Sequence, residues 1–122
     1  MQKRLNFFKD KRGSLFVFEK DYFNIKRVFV INGKNNSFRG NHAHKDTVQI
    51  LININSKSKL YITKSKTRVI KFTKPGEYFI CPTKSWLKIS FIKEGSIMVL
   101  CNKKYSKKDY INKFDDFKKL YS

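Results

Sequence analysis

Val48-Gln-Ile-Leu-Ile-Asn-Ile-Asn-Ser-Lys-Ser-Lys-Leu-Tyr-Ile-Thr63 places two short apolar runs on either side of the polar turn Asn55-Ser-Lys-Ser58. Ile, Val, Thr and Tyr fit a pleated surface, and short runs of them bounded by Asn and Ser read as strands. The same pattern recurs outward in both directions. Ser14–Glu19, Arg27–Ile31, Thr67–Phe72, Tyr78–Cys81, Trp86–Phe91 and Ser96–Cys101 all read as strands. Turns fall at Asn32-Gly-Lys-Asn-Asn36, Pro75-Gly76 and Lys93-Glu-Gly95. Many short strands so spaced predict an all-β sandwich or barrel, with a jelly roll among the natural choices. The period changes after residue 105. Ser106-Lys-Lys-Asp109 reads as an N-cap with an acid three positions on, and Tyr110, Ile111, Phe114, Phe117 and Tyr121 fall on one helical face. The expectation is one domain over 1–122, closed by a short C-terminal α-helix.

Composition narrows the function classes. The 122 residues include 28 Lys+Arg against 9 Asp+Glu, a net charge of +19. Hydrophobic residues at 40% and aromatics at 16% supply a core, which excludes a disordered basic tail. The basic residues are scattered singly and in pairs from Lys3 to Lys119, and Lys greatly outnumbers Arg. A nucleic-acid reader concentrates its charge and relies on bidentate Arg, so a solvated basic surface is expected instead and nucleic acid is not expected as a partner. A small anionic substrate remains compatible with this charge. No apolar run approaches the roughly 20 residues of a membrane span, so no membrane partner is expected. Cys81 and Cys101, the only cysteines, make no disulfide framework. Both fall in strands as buried free thiols, and a cytoplasmic setting is expected.

All the histidine of the chain lies in Arg39-Gly-Asn-His-Ala-His-Lys45. Residues two apart on a strand project to one face, so the imidazoles of His42 and His44 enter the same space. The spacing resembles the first motif of the cupin barrels, His-x-His followed by an acid. Gly76-Glu-Tyr-Phe-Ile-Cys-Pro82 matches their second motif in outline. Metal-binding cupins need about three N or O donors. Here Gln49 stands at the usual Glu position and Leu87 at the second-motif His, so no catalytic metal and no cofactor is expected. Two imidazoles without a metal are general acid–base groups, and Arg39 beside them suits a phosphate or a developing negative charge.

The chain further resembles the cupin-type dTDP-sugar 3,4-ketoisomerases, relatives of the dTDP-sugar 3,5-epimerases. The resemblance rests on Asp10-Lys-Arg-Gly-Ser-Leu15, Ile25-Lys-Arg-Val28, Arg39–Lys45 with Gln49, Pro82, Trp86 and Asp109-Tyr-Ile-Asn-Lys-Phe-Asp-Asp-Phe117. It implies conversion of dTDP-4-keto-6-deoxyglucose to a 3-keto isomer, for deoxyamino sugars of surface glycans, by a homodimer. It implies His42 as principal base and His44 as acid or shuttle. Arg12, Gly13 and Arg39 would contact the diphosphate or sugar, with Lys45, Gln49, Lys59 and Trp86 as further candidates around the pocket. Three positions depart from the family pattern. Phe29 and Val30 follow Arg27-Val28 where a tyrosine is common, Leu87 follows Trp86 where His is usual, and Lys59 stands where many members carry Arg. A 3,5-epimerase-like reaction and a non-catalytic sugar-nucleotide binder stay open as alternatives.

Overall fold

In the computed structural model, residues 2–121 are described, Gln2 without its side chain. Met1 and Ser122, the ends of the expected domain, lie outside the described residues. In chain order the strands are β1 (Gln2–Arg4), β2 (Asn6–Asp10), β3 (Gly13–Val17), β4 (Arg27–Gly33), β5 (Ser37–His44) and β6 (Gln49–Asn53). They continue with β7 (Lys57–Thr63), β8 (Thr67–Phe72), β9 (Glu77–Cys81), β10 (Trp86–Lys93), β11 (Gly95–Cys101) and β12 (Tyr110–Ile111), ending in helix α1 (Phe114–Tyr121). Two five-stranded sheets, ordered β1-β9-β6-β11-β4 and β12-β5-β10-β7-β8, face each other as the cupin jelly roll, and β2-β3 forms a separate hairpin.

The near-continuous apolar run of β6 has a simple cause. All five of its residues are buried, because both faces of that strand are covered. Leu51 points into the barrel with Leu60, Phe72, Phe79, Ile89, Phe91 and Val99. Ile50 and Ile52 point outward, where Leu5, Phe16, Phe18 and Phe23 cover them. A strand covered on one side only alternates instead, as β7 does with Leu60 and Ile62 inward and Lys59 and Tyr61 outward.

A bulge in β5 sets the direction of the functional side chains. Leu87 pairs with His42, but Lys88 pairs with Gly40, leaving Asn41 as the extra residue. Gly40 and Asn41 both have positive φ, 76° and 69°. On a regular strand Arg39 and His42, three apart, would face opposite sides. The inserted residue restores phase, so Arg39 lies opposite Ile89 and shares the inward face with His42.

The C-terminus corrects the helical expectation. Residues 107–109 form a 3-10 turn without a side-chain cap from Ser106, Tyr110 and Ile111 pair with His44 and Ala43 of β5, and the helix begins at Phe114. The open edge of β5 offers backbone partners that outweigh a longer helix. Phe114, Phe117 and Tyr121 retain the predicted shared face, with Phe114 and Phe117 packed against Trp86 and Tyr121 against Phe117.

The bulge is testable. A Cβ on Gly40 would lie 3.1 Å from the Leu87 carbonyl oxygen, at a φ that L-residues disfavour. Gly40→Ala is therefore expected to cost about 1–2 kcal/mol, read as a fall in Tm of roughly 5 °C or more. An unchanged melting curve contradicts this.

Candidate active site

The inward faces of β5, β4, β6 and β10 and the edge strand β12 enclose a cavity of about 240 Å³. Arg27, Arg39, His42, Gln49 and Tyr110 supply its polar lining, and Phe29, Leu51, Leu87, Ile89 and Val99 much of its apolar wall. His42 reaches it directly. Behind His42 sits His44, with ring centroids 5.1 Å apart and planes at 80°. Tyr110 closes the group, 4.9 Å from the ring of His42 and 4.3 Å from that of His44.

His44 is buried, and its Nδ1 lies 2.7 Å from Asp109 Oδ2. The same carboxylate accepts from the Thr47 hydroxyl at 2.6 Å and from the Asp46 N–H at 2.6 Å. Burial alone would raise the Asp109 pKa. The hydrogen bonds from Thr47, His44 and the Asp46 backbone outweigh it and hold the carboxyl below its ordinary value. Charge-assisted bonds contribute about 1.5–3 kcal/mol each, against a desolvation cost of several kcal/mol per buried ion. These terms largely offset, so the carboxylate's main effect is orientation. It orients the His44 ring by accepting from Nδ1–H, and Nε2 is left buried without a hydrogen-bond partner.

His42 is tuned differently. Burial, then the neighbouring His44, lowers its pKa to about 4; a hydrogen bond with the Gly40 backbone opposes this, and Arg27 adds to it. His42 is therefore a neutral imidazole at pH 7, with a lone pair free to accept a proton. Arg27 is held in place by Tyr110, to whose hydroxyl Nη1 donates at 3.1 Å, and by the rings of Phe29 and Tyr105 beneath its guanidinium.

The structure brings His42, His44, Arg39 and Gln49 together, as the sequence suggested. Gln49 is buried, its amide donating to Cys101 Sγ at 3.7 Å. Other candidates lie elsewhere in the chain. Arg12 and Gly13 sit at the exposed tip of the β2-β3 hairpin, where Asp10 holds the Arg12 guanidinium in an ion pair of 2.6 Å. Lys45 lines a groove beside α1. Lys59 points off the outer face of β7. Trp86 is buried under α1, its indole N–H donating to Asn41 at 3.1 Å, on the face of β10 opposite Leu87. Burial pushes the Cys81 thiol up to about 12 and raises that of Cys101, which removes both as thiolate nucleophiles.

Among the described residues no three His, Cys, Asp or Glu side chains gather as metal ligands. The donor set does not fit a cupin metal centre: Leu87 offers no donor and Gln49 is a neutral amide, so among the described residues only the two imidazoles stand at the motif positions. Asp109, Thr47, Arg27 and Tyr110 were not among the candidate residues. Asp109 has one usable signal: Asp109-Tyr-Ile111 alternates as a strand does, although its spacing from Ser106 equally suits the first turn of a helix.

The role of Asp109 has a direct check. At pH 8, nitrogen-15 NMR of the imidazoles should find His44 protonated on Nδ1 in the native chain. In Asp109→Asn, whose amide presents N–H to Nδ1, the proton should move to Nε2. The same tautomer in both proteins contradicts the orientation argument.

The comparisons with known proteins agree with this architecture. The TDP-4-oxo-6-deoxy-alpha-D-glucose-3,4-oxoisomerase of Aneurinibacillus thermoaerophilus is 33% identical over 125 residues, spanning 96% of this chain and 90% of that protein. The sugar 3,4-ketoisomerase QdtA of Thermoanaerobacterium thermosaccharolyticum, solved in complex with TDP, superposes with a TM-score of 0.89 at 26% identity, covering 99% of this chain and 93% of that one. The TDP-fucose-3,4-ketoisomerase WlaRA of Campylobacter jejuni gives a TM-score of 0.85 at 26% identity over 100% of this chain and 95% of its own. With a family match that runs over residues 2–122, the chain belongs to the FdtA family, described as WxcM-like, C-terminal.

Proposed function

We propose that the chain is a sugar-nucleotide 3,4-ketoisomerase. It converts dTDP-4-keto-6-deoxyglucose to the 3-keto isomer by proton transfer alone, and aminotransfer to that product leads to deoxyamino sugars of surface glycans. The observation that carries this reading is the neutral imidazole of His42 on the wall of a cavity that also holds two arginines. Family membership supports it, as does a variant of QdtA solved with TDP-4-keto-6-deoxyglucose bound.

The chemistry follows from the groups present. The C4 ketone acidifies the hydrogen on C3. His42 takes that proton, and the C–H electron pair becomes a C3–C4 double bond while the carbonyl pair moves onto O4. Arg39 and Arg27 favour the resulting oxyanion because positive charge already faces the place where negative charge develops. Return of the proton to C4, with the O3 hydroxyl proton passing to O4, leaves the ketone on C3 and a hydroxyl on C4. His44, fixed by Asp109, presents its free Nε2 as the relay behind His42. No oxidant, reductant or metal enters the balance.

A cavity of about 240 Å³ is small for a whole sugar nucleotide, since drug-sized ligands fill roughly 300 Å³ or more. The hexose occupies the cavity, and the diphosphate and thymidine extend past Arg39 at its rim. The whole chain, 1–122, acts as one cytoplasmic cupin domain without nucleic-acid or membrane partners. Among the described residues no helix is long and apolar enough to cross a membrane. A homodimer is part of the proposal. β4 is the edge of its sheet and exposes Val28 and Val30, cross-strand from Leu100 and Met98, an apolar face that a second copy can cover.

Two measurements test the reading. NMR of the product from dTDP-4-keto-6-deoxyglucose should reveal a 3-keto sugar with the native chain. With His42→Asn the rate should fall by about 10²–10⁴-fold, and equal turnover would remove His42 from the mechanism. In a pH profile of kcat/KM, His42 must be neutral to accept the proton, so activity is lost as pH falls through its pKa. The acid limb should therefore lie near pH 4. A limb at the ordinary imidazole value of about 6.5 contradicts the burial argument.

A further inference from the structure

A 3,4-keto isomerisation moves two protons. One passes from carbon to carbon, and His42 is placed for it. The other leaves the O3 hydroxyl and ends on O4, and a base that serves the carbons does not account for it.

Among the described residues that line the cavity, Tyr110 is the one that carries a hydroxyl. The remaining polar groups are unsuited to giving and taking a proton between oxygens. Arg39 and Arg27 stay protonated as guanidinium groups. Gln49 is a neutral amide already bonded to Cys101, and Asp109 with Thr47 is committed to His44 behind the wall. Tyr110 is also unusually well fixed. Its strand pairs residue for residue with β5, opposite His44, and its ring lies against both imidazoles. Its oxygen accepts from Arg27 at 3.1 Å, and Arg27 is itself held over Phe29 and Tyr105. Because the Tyr110 oxygen accepts from Arg27, its own O–H is left to donate into the cavity. Arg27 and the base His42 line the same cavity.

We propose that Tyr110, held by Arg27, is the catalytic residue that carries the proton between O3 and O4. The inference rests on the ketoisomerase reading above and deepens it. His42 first removes the C3 proton, leaving an O4 oxyanion that faces Arg39 and Arg27; the Tyr110 phenol then donates its proton to O4, giving a neutral enediol and a phenolate paired with Arg27. The phenolate then takes the O3 proton as C4 is protonated, which forms the C3 carbonyl and restores the phenol. Every proton is accounted for, and no outside reagent is needed.

The test compares two rates in deuterated water with dTDP-4-keto-6-deoxyglucose: exchange of the C3 hydrogen in remaining substrate, and formation of the 3-keto product. With Tyr110→Phe, product formation should fall by about 10²-fold or more, while exchange falls less than about tenfold. The ratio of exchange to product therefore rises at least tenfold. A structural role would lower both rates together, and an unchanged ratio overturns the proposal, as does a Tyr110→Phe variant with native turnover. Should Tyr110→Phe fail to fold, the same ratio in Tyr110→Met, which also lacks the hydroxyl, decides, with a rise expected and no rise overturning it. If the native chain neither exchanges the C3 hydrogen nor forms product, the ketoisomerase reading fails and takes this inference with it. Native turnover with an unchanged ratio defeats the Tyr110 inference alone.

Discussion

One buried carboxylate ties the end of the chain to the strand that carries both histidines. Asp109 accepts from His44, Thr47 and the Asp46 N–H, so three groups of the β5–β6 region converge on a residue from the tail. That anchor puts β12 on the open edge of β5 and so sets Tyr110 against the imidazoles. It also orients the His44 ring. Removing the carboxylate would leave several buried donors unpaired, at about 1–3 kcal/mol each, and would release the strand that closes the cavity.

The cavity inherits its electrostatics from this arrangement and from the bulge in β5. Burial, and next the neighbouring His44, keep His42 neutral at pH 7. The two arginines stand across the same space, one turned inward by the extra residue at Asn41 and one fixed by Tyr110. A site with a neutral base and fixed positive charge suits abstraction of a proton next to a carbonyl. The net charge of +19 contributes little to this beyond a general attraction for anions. The cations that matter here are placed by the backbone.

The barrel was legible because its strands obey a local rule, and even β6, where the alternation lapses, reports its burial on both faces. The histidine pair was legible for the same reason, since residues two apart on a strand share a face. Arg39 sits beside His42 only because of the bulge, a feature that a regular period does not predict. Asp109 was hidden because its partner His44 is 65 positions away, while its neighbours imitate a helix N-terminus. Trp86 shows the reverse case. Its motif position suggested the pocket, but strand alternation beside inward-facing Leu87 turns it outward under α1. Arg12 and Gly13 belong to a hairpin whose direction depends on long-range packing, so their distance from the cavity could not be read locally.

The central claim is that the base beside this cavity works on the carbon next to the ketone and passes the proton to the carbonyl carbon. The most direct measurement is the position of deuterium in the sugar after turnover of dTDP-4-keto-6-deoxyglucose in deuterated water, read by proton NMR. The account predicts a 3-keto product with label confined to C3 of recovered substrate and C4 of product. Label at C5, with the 4-ketone retained, would contradict it and indicate an epimerase.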